Sequence, residues 1–141
     1  MENRTVILGI SAFYHDSAAA LIIDGVVVAA AEEERFTRIK HESGFPQQAA
    51  AYCLKEAGIS IDDVSYVVFY EKPFLHFERL LMTAIDNFPR GLMVFVESMV
   101  AWLGKKLYVG RRIRTELSYK GEVLYVAHHL SHAASAFFCS G

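Results

Sequence analysis

The feature that most constrains this chain lies between Thr5 and Ala31. Three short apolar runs follow one another there, and the breaks between them are turns. Thr5 to Ala12 reads TVILGISA and ends in the polar loop Phe13-Tyr14-His15-Asp16-Ser17. Ala18 to Ile23 is apolar again, and Asp24-Gly25 separates it from Val26 to Ala31. Runs of this length suit buried strands. An Asp-Gly pair between two such runs is a strong signal for a two-residue hairpin. The spacing therefore predicts three consecutive antiparallel strands.

Downstream the pattern changes period. Glu32 to Glu42 is a dense charged segment leading into Gly44-Phe45-Pro46. Pro46 suits the first turn of a helix, predicted over 47–57, and Gly58 suits the position just past its end. Asp62 to Tyr70 predicts a strand, broken by Glu71-Lys72-Pro73. Apolar residues at 74, 77, 81, 85 and 88 have helical spacing. Pro89 and Gly91 interrupt, and a second helix is predicted over 92–106. Arg111 to Lys120 reads as polar and irregular. Glu122 to Ala127 predicts a strand and His129 to Phe138 a helix. The order βββ-α-β-(αα)-β-α implies an α/β domain with a mixed sheet. The last helical pattern runs into Cys139-Ser140-Gly141 without a cap or a following strand, so we expect a fragment carrying an incomplete site.

Composition excludes several classes. The 141 residues are about one domain, and 53% apolar with 21% charged residues argues against disorder. A net charge of −2 lacks the basic excess of a nucleic-acid footprint. Cys53 and Cys139 form no CxxC, and the first residues are no secretory signal, which predicts reduced thiols in a cytoplasmic protein. The most apolar stretch, 92–103, has Glu97 in its middle and is shorter than the roughly 20 residues that span a bilayer. It reads as a buried helix, with no membrane partner. It is also a candidate homodimer surface, or a surface for a missing half of the domain.

Three segments carry candidate chemistry. In His128-His129-Leu130-Ser131-His132, His128 and His132 are spaced i, i+4 and so share one helix face. Two neutral imidazoles so placed can chelate a divalent cation. A site needs at least one further ligand, typically a carboxylate. Spacing alone leaves open that these histidines cap the helix or pack in a polar pocket. The loop 13–17 offers His15 as a base or substrate contact, against an ordinary turn with Asp16 and Ser17 bonding local amides. In the run 32–41, Arg35, Arg38, Lys40 and His41 have the chemistry to hold a phosphate or carboxylate. Composition favours a solvated face there, and a solvent-exposed loop for Arg111, Arg112 and Arg114. The aromatic residues read mostly as core.

Taken together, ILGISAFYHDSAAALIIDG (7–25), AAAEEERFTRIKHESGFP (29–46) and HHLSHAASAFF (128–138) resemble the O-carbamoyltransferases of the nodulation-protein and antibiotic-tailoring type. The resemblance runs from about residue 6 to the end and is less clear over 72–120. It implies an actin-like (ribonuclease H-like) ATPase-type domain, similar to that of sugar kinases and of the tRNA threonylcarbamoyl-transfer proteins. Only the first half of that fold is expected within 1–141. It implies a reaction in which carbamoyl phosphate and ATP give a carbamoyl-adenylate in a separate YrdC-like domain. The carbamoyl group then moves to a hydroxyl of a sugar or other natural product. Carried over onto this chain, the resemblance makes His128 and His132 metal ligands, with iron expected and zinc the alternative. It makes His15 the candidate base for the acceptor hydroxyl. It places Glu34, Lys40 and His41 near the carbamoyl-adenylate. The second half of the fold, its downstream carboxylate ligand and the YrdC-like domain are missing from the matching segments. Full activity is therefore not expected of this chain alone. The competing expectations are a non-catalytic half-domain that binds nucleotide or a partner, a related protein acting on tRNA, and a structural module with incidental histidines.

Overall fold

The computed structural model describes residues 4–14, 16–70, 81–88, 95–97 and 108–138. The front of the chain forms the three predicted strands: β1 (Val6–Ser11), β2 (Ala18–Ile23) and β3 (Val26–Glu32). Both pairings are antiparallel. Asp24 and Gly25 have φ of 49° and 85°, the double positive φ that a type I′ hairpin turn requires. Asp24 also ties the turn to the start of β1, because its carboxylate accepts a hydrogen bond from the Thr5 amide at 2.8 Å. A register shift opposite Leu21 and Ile22 inserts Val28 as a bulge and turns Ala29 inward.

Two more strands, β4 (Tyr66–Phe69) and β5 (Glu122–Tyr125), lie parallel to β1. The sheet order is β3-β2-β1-β4-β5, so the predicted mixed sheet is observed. β4 is shorter than the predicted run because Asp62 and Asp63 belong to a 3₁₀ turn, Ile61–Asp63. The Asp63 carboxylate accepts bonds from the Ser60 amide and hydroxyl at 2.8 and 2.7 Å, which holds that turn.

One face of the sheet is the core. Val6, Leu8 and Ile10 of β1 lie level with Ile23, Leu21 and Ala19 of β2, and Leu8 and Ile10 with Val67 and Phe69 of β4. All are buried. A four-residue helix, α1 (Glu34–Thr37), follows β3. Helix α2 (Gln47–Glu56) then presses Ala49, Ala50 and Cys53 into this cluster. The other face carries Gly9, Ser11, Ala18 and Ala20, all half-buried. These small side chains leave a trough of about 970 Å³ reaching Ala134 and Phe138 near the chain end.

The structure corrects the reading of 111–120 as irregular. Residues Val109–Leu117 form helix α3. Val109 and Ile113 are buried and Leu117 is half-buried, a stripe at i, i+4, i+8, while Arg111, Arg112 and Arg114 are exposed. The arginines mask the period in a composition-based reading, yet they are the solvent face of an amphipathic helix. Helix α4 (His128–Phe138) begins at the first histidine, one residue earlier than predicted, and buries none of its residues. Of the two helices predicted over 74–88 and 92–106, residues 81–86 and 95–97 are helical, and the remainder lies outside the described residues. Among the described residues no helix is long and apolar enough to cross a membrane.

Candidate functional site

β1, β3, β4 and β5 all run in one direction, so their carboxyl ends share one edge of the sheet. Crevices outside the carboxyl ends of parallel strands are where ligands bind in open α/β sheets. Every sequence-predicted site residue follows one of these ends. The loop after β1 holds His15, which lies outside the described residues. The segment after β3 holds Glu34, Lys40 and His41. The segment after β5 holds His128 and His132.

The first two segments interlock. The Phe13 amide donates to the Ser43 carbonyl at 3.0 Å, and the Ser17 amide to the Glu42 carbonyl at 2.9 Å. The buried Ser17 hydroxyl donates to the Gly44 carbonyl at 2.6 Å. His41 Nδ1 sits 2.9 Å from an Asp16 carboxylate oxygen, and the His41 amide donates to Glu34 Oε2 at 3.4 Å. Phe13, Asp16, Arg38 and His41 all adopt left-handed φ, at 70°, 51°, 61° and 56°. Non-glycine residues rarely hold that conformation unless their surroundings enforce it, and such residues cluster at functional sites. The Asp16 hydrogen bond and charge, with Glu34 behind them, raise the His41 pKa above its ordinary 6.5. Lys40 is exposed beside them.

Under this clasp lies Glu33, which the charged-run reading had placed on a solvated face. It is buried, and its two carboxylate oxygens accept bonds from the Gln48 and Ala49 amides at 3.1 and 2.8 Å. A carboxylate there satisfies two orphan donors of the first turn of α2 and complements its positive end. The run Glu32-Glu33-Glu34 thus has one structural member and one near the site.

The histidine pair is built differently. The Val126 amide donates to the Phe69 carbonyl at 3.0 Å, which extends the ladder beyond β5 to the first turn of α4. His128 and His132 then stack one turn apart, and their Nε2 atoms stand 3.1 Å from each other. Two nitrogens that both bind one ion at about 2.1 Å fall close to this separation. The donor set therefore fits a divalent metal as two ligands of a larger set. Among the described residues no group of three or more His, Cys, Asp or Glu side chains forms a complete metal site. Ser131 and Ser135 return their hydroxyls to the carbonyls of His128 and His132 at 2.7 and 2.9 Å.

Aromatic rings link the two places. Phe13 lies 6.4 Å from buried Phe69, Phe69 lies 4.9 Å from Tyr70, and Tyr70 lies 5.6 Å from His128, centre to centre. The guanidinium of Arg112 sits 4.4 Å over the Phe13 ring, which ties α3 to the same loop. Sequence reasoning missed Asp16, Tyr70 and Arg112 as site residues. Tyr70 had a signal, since it is the last residue of a predicted strand. Arg112 had none, because its partner is distant in sequence.

The family described as "Carbamoyltransferase N-terminus" matches residues 6–141. The chain is similar to an uncharacterized protein of Synechocystis sp., 56% identical over 96% of this chain and 23% of that protein. It is also similar to the nodulation protein NolNO of Sinorhizobium fredii, 36% identical over 93% of this chain and 18% of that protein. The chain thus spans about a fifth of the length of these curated relatives.

Proposed function

The chain belongs to the carbamoyltransferase N-terminus family, and from that premise we propose that it is the N-terminal part of an ATP-dependent O-carbamoyltransferase. The whole protein would take carbamoyl phosphate and ATP, form a carbamoyl-adenylate, and pass the carbamoyl group to a hydroxyl of a sugar or other natural product. The sheet order β3-β2-β1-β4-β5 supports an actin-like placement of this part, with the chemistry at the carboxyl edge. The reaction belongs in the cytoplasm on this reading and needs no nucleic acid.

The observation that carries the proposal is the pair His128 and His132, with Nε2 atoms 3.1 Å apart beside a strained, interlocked loop pair at one sheet edge. These two histidines would hold a divalent ion, iron or zinc, which supplies Lewis-acid polarisation of a carbonyl when bound. The further ligand would come from the longer protein. His15 is the proposed base for the acceptor hydroxyl. Lys40 and His41 present cationic and hydrogen-bonding groups suited to the anionic donor, and Glu34 braces the His41 backbone. Because the adenylate is a good leaving group, no protein nucleophile is needed, and buried Cys53 donates its thiol to the Ala19 carbonyl.

The test is an assay of the full-length protein with carbamoyl phosphate, ATP and a panel of hydroxyl acceptors, following AMP and carbamoylated product. Product that disappears in the His128→Ala/His132→Ala variant is expected. AMP without any carbamoylated acceptor, or no turnover, would contradict the transferase reading and favour a nucleotide-binding module.

A further inference from the structure

The face of the sheet opposite the core carries a surface that the proposed function does not use. At one register level a row crosses all five strands: Ala30, Ala20, Gly9, Val68 and Leu124. The row is apolar throughout, and Ala30 and Leu124 at its ends are exposed. Four of the five strands run parallel, and parallel strands are covered on both faces in α/β folds.

The topology says which part of a chain can cover this face. The connections from β3 to β4 and from β4 to β5 step along the sheet in the same direction. Right-handed crossovers that step the same way place their helices on one face. Helices α2 and α3 accordingly share the core face, where Ala49, Cys53, Val109 and Ile113 are buried together. Helix α4 follows the last of these strands and is released from that constraint. It brings Ser131, Ala134, Ser135 and Phe138 to the other face, where they wall the trough. It buries none of its residues, so it begins a layer there without completing one.

Gly9 points the same way. A Cβ built on it would meet, within 4 Å among the described residues, the Ala20 carbonyl oxygen at 3.7 Å, an ordinary contact. The described packing therefore does not require glycine at this place, and glycine inside a strand often marks the close approach of another backbone. The charged side chains lining the trough, Glu32 and Arg35, lie 3.7 Å apart and answer each other. An apolar occupant suits such a floor. The chain spans 23% and 18% of its two relatives, so each has most of its length outside this part.

We propose that the trough is the seat of the polypeptide following Gly141 in the longer protein, and that an apolar helix of it lies across Ala30, Ala20 and Gly9 beside α4. The proposal rests on the reading above in taking this chain as the N-terminal part of a longer one. His128 and His132 lie one turn before Ser131 and Ser135 on the trough side of α4, so seating also fixes the histidine pair.

The experiment places p-benzoylphenylalanine at Tyr52 or at Phe36 in the full-length protein. These two aromatic residues line the trough, with ring centres 5.7 Å apart. After irradiation, the cross-linked peptides are mapped by mass spectrometry. The expected product joins either position to a peptide beyond residue 141 of the same molecule. In a second measurement, the thiol of Ala30→Cys should react with a maleimide about tenfold more slowly in the native full-length protein than in urea. Adding Gly9→Val should remove that protection while buried Cys53 stays protected, which shows the core intact. Cross-links confined to residues 1–141, cross-links between two molecules, or an Ala30→Cys thiol that reacts at its unfolded rate would overturn the proposal. Neither measurement needs turnover, so failure here leaves the transferase reading standing, and a failed transfer assay leaves this proposal standing.

Discussion

The two candidate clusters at the carboxyl edge are built on opposite principles. The clasp around Asp16, Ser17 and His41 is closed by its own chain: the buried Ser17 hydroxyl, backbone bonds between loops, and Glu33 beneath them capping α2. The histidine pair stands on a helix that buries nothing, and Leu130, Phe137 and Phe138 there are 61%, 79% and 79% exposed. The first cluster is organised before any ligand arrives. The second offers two donors, and as a metal site it would need a third from outside the described residues. On the proposed reading, organisation and metal chemistry are supplied by different parts of the chain, and among the described residues Phe69 and Tyr70 connect them.

That contrast is breakable in order of effect. Phe69→Ala removes a fully buried ring from the junction of both clusters, and should cost about 3–5 kcal/mol in a denaturant melt. This is a large share of the about 5–15 kcal/mol total stability of a typical domain. Glu33→Ala removes the carboxylate from two amides and should cost about 2 kcal/mol, with fraying at the start of α2 visible by hydrogen exchange. Ser17→Ala deletes the 2.6 Å bond to Gly44 and should cost about 1 kcal/mol. It should loosen the Phe13 and Ser17 amides while leaving α4 unchanged. His128→Ala/His132→Ala should change stability by no more than about 0.5 kcal/mol, since both side chains are exposed.

A pH scan sharpens the same contrast. The His41 pKa is raised in the folded chain, so its bond to Asp16 contributes fully below the ordinary value of 6.5. The contribution is lost as pH rises through the folded midpoint. Exchange at the Ser17 amide, corrected for its intrinsic pH dependence, should therefore quicken as pH rises from 6.5 through the folded midpoint, in wild type and not in His41→Gln.

The β-rich front was legible because its signals are local. Asp24-Gly25 names a turn type, and the apolar runs on each side have strand length. The histidine pair was legible for the same reason, because i, i+4 on a helix is a local relation. What escaped notice depended on distant partners. Glu33 looks like its neighbours until α2 packs across it, and Arg112 looks like solvent until its guanidinium meets Phe13. Helix α3 was hidden by arginines that hold its outer face while Val109 and Ile113 bury the inner one. Asp16 as the partner of His41 could not be read at a separation of 25 residues.

The central claim is that His128 and His132 form half of a metal site. The most direct test is metal analysis of the purified chain beside the His128→Ala/His132→Ala variant, with iron and zinc titrations. The account predicts close to one equivalent bound by wild type, its loss in the variant, and matching melting curves for the two. Equal metal content in both proteins would contradict the claim and leave these histidines a structural role alone.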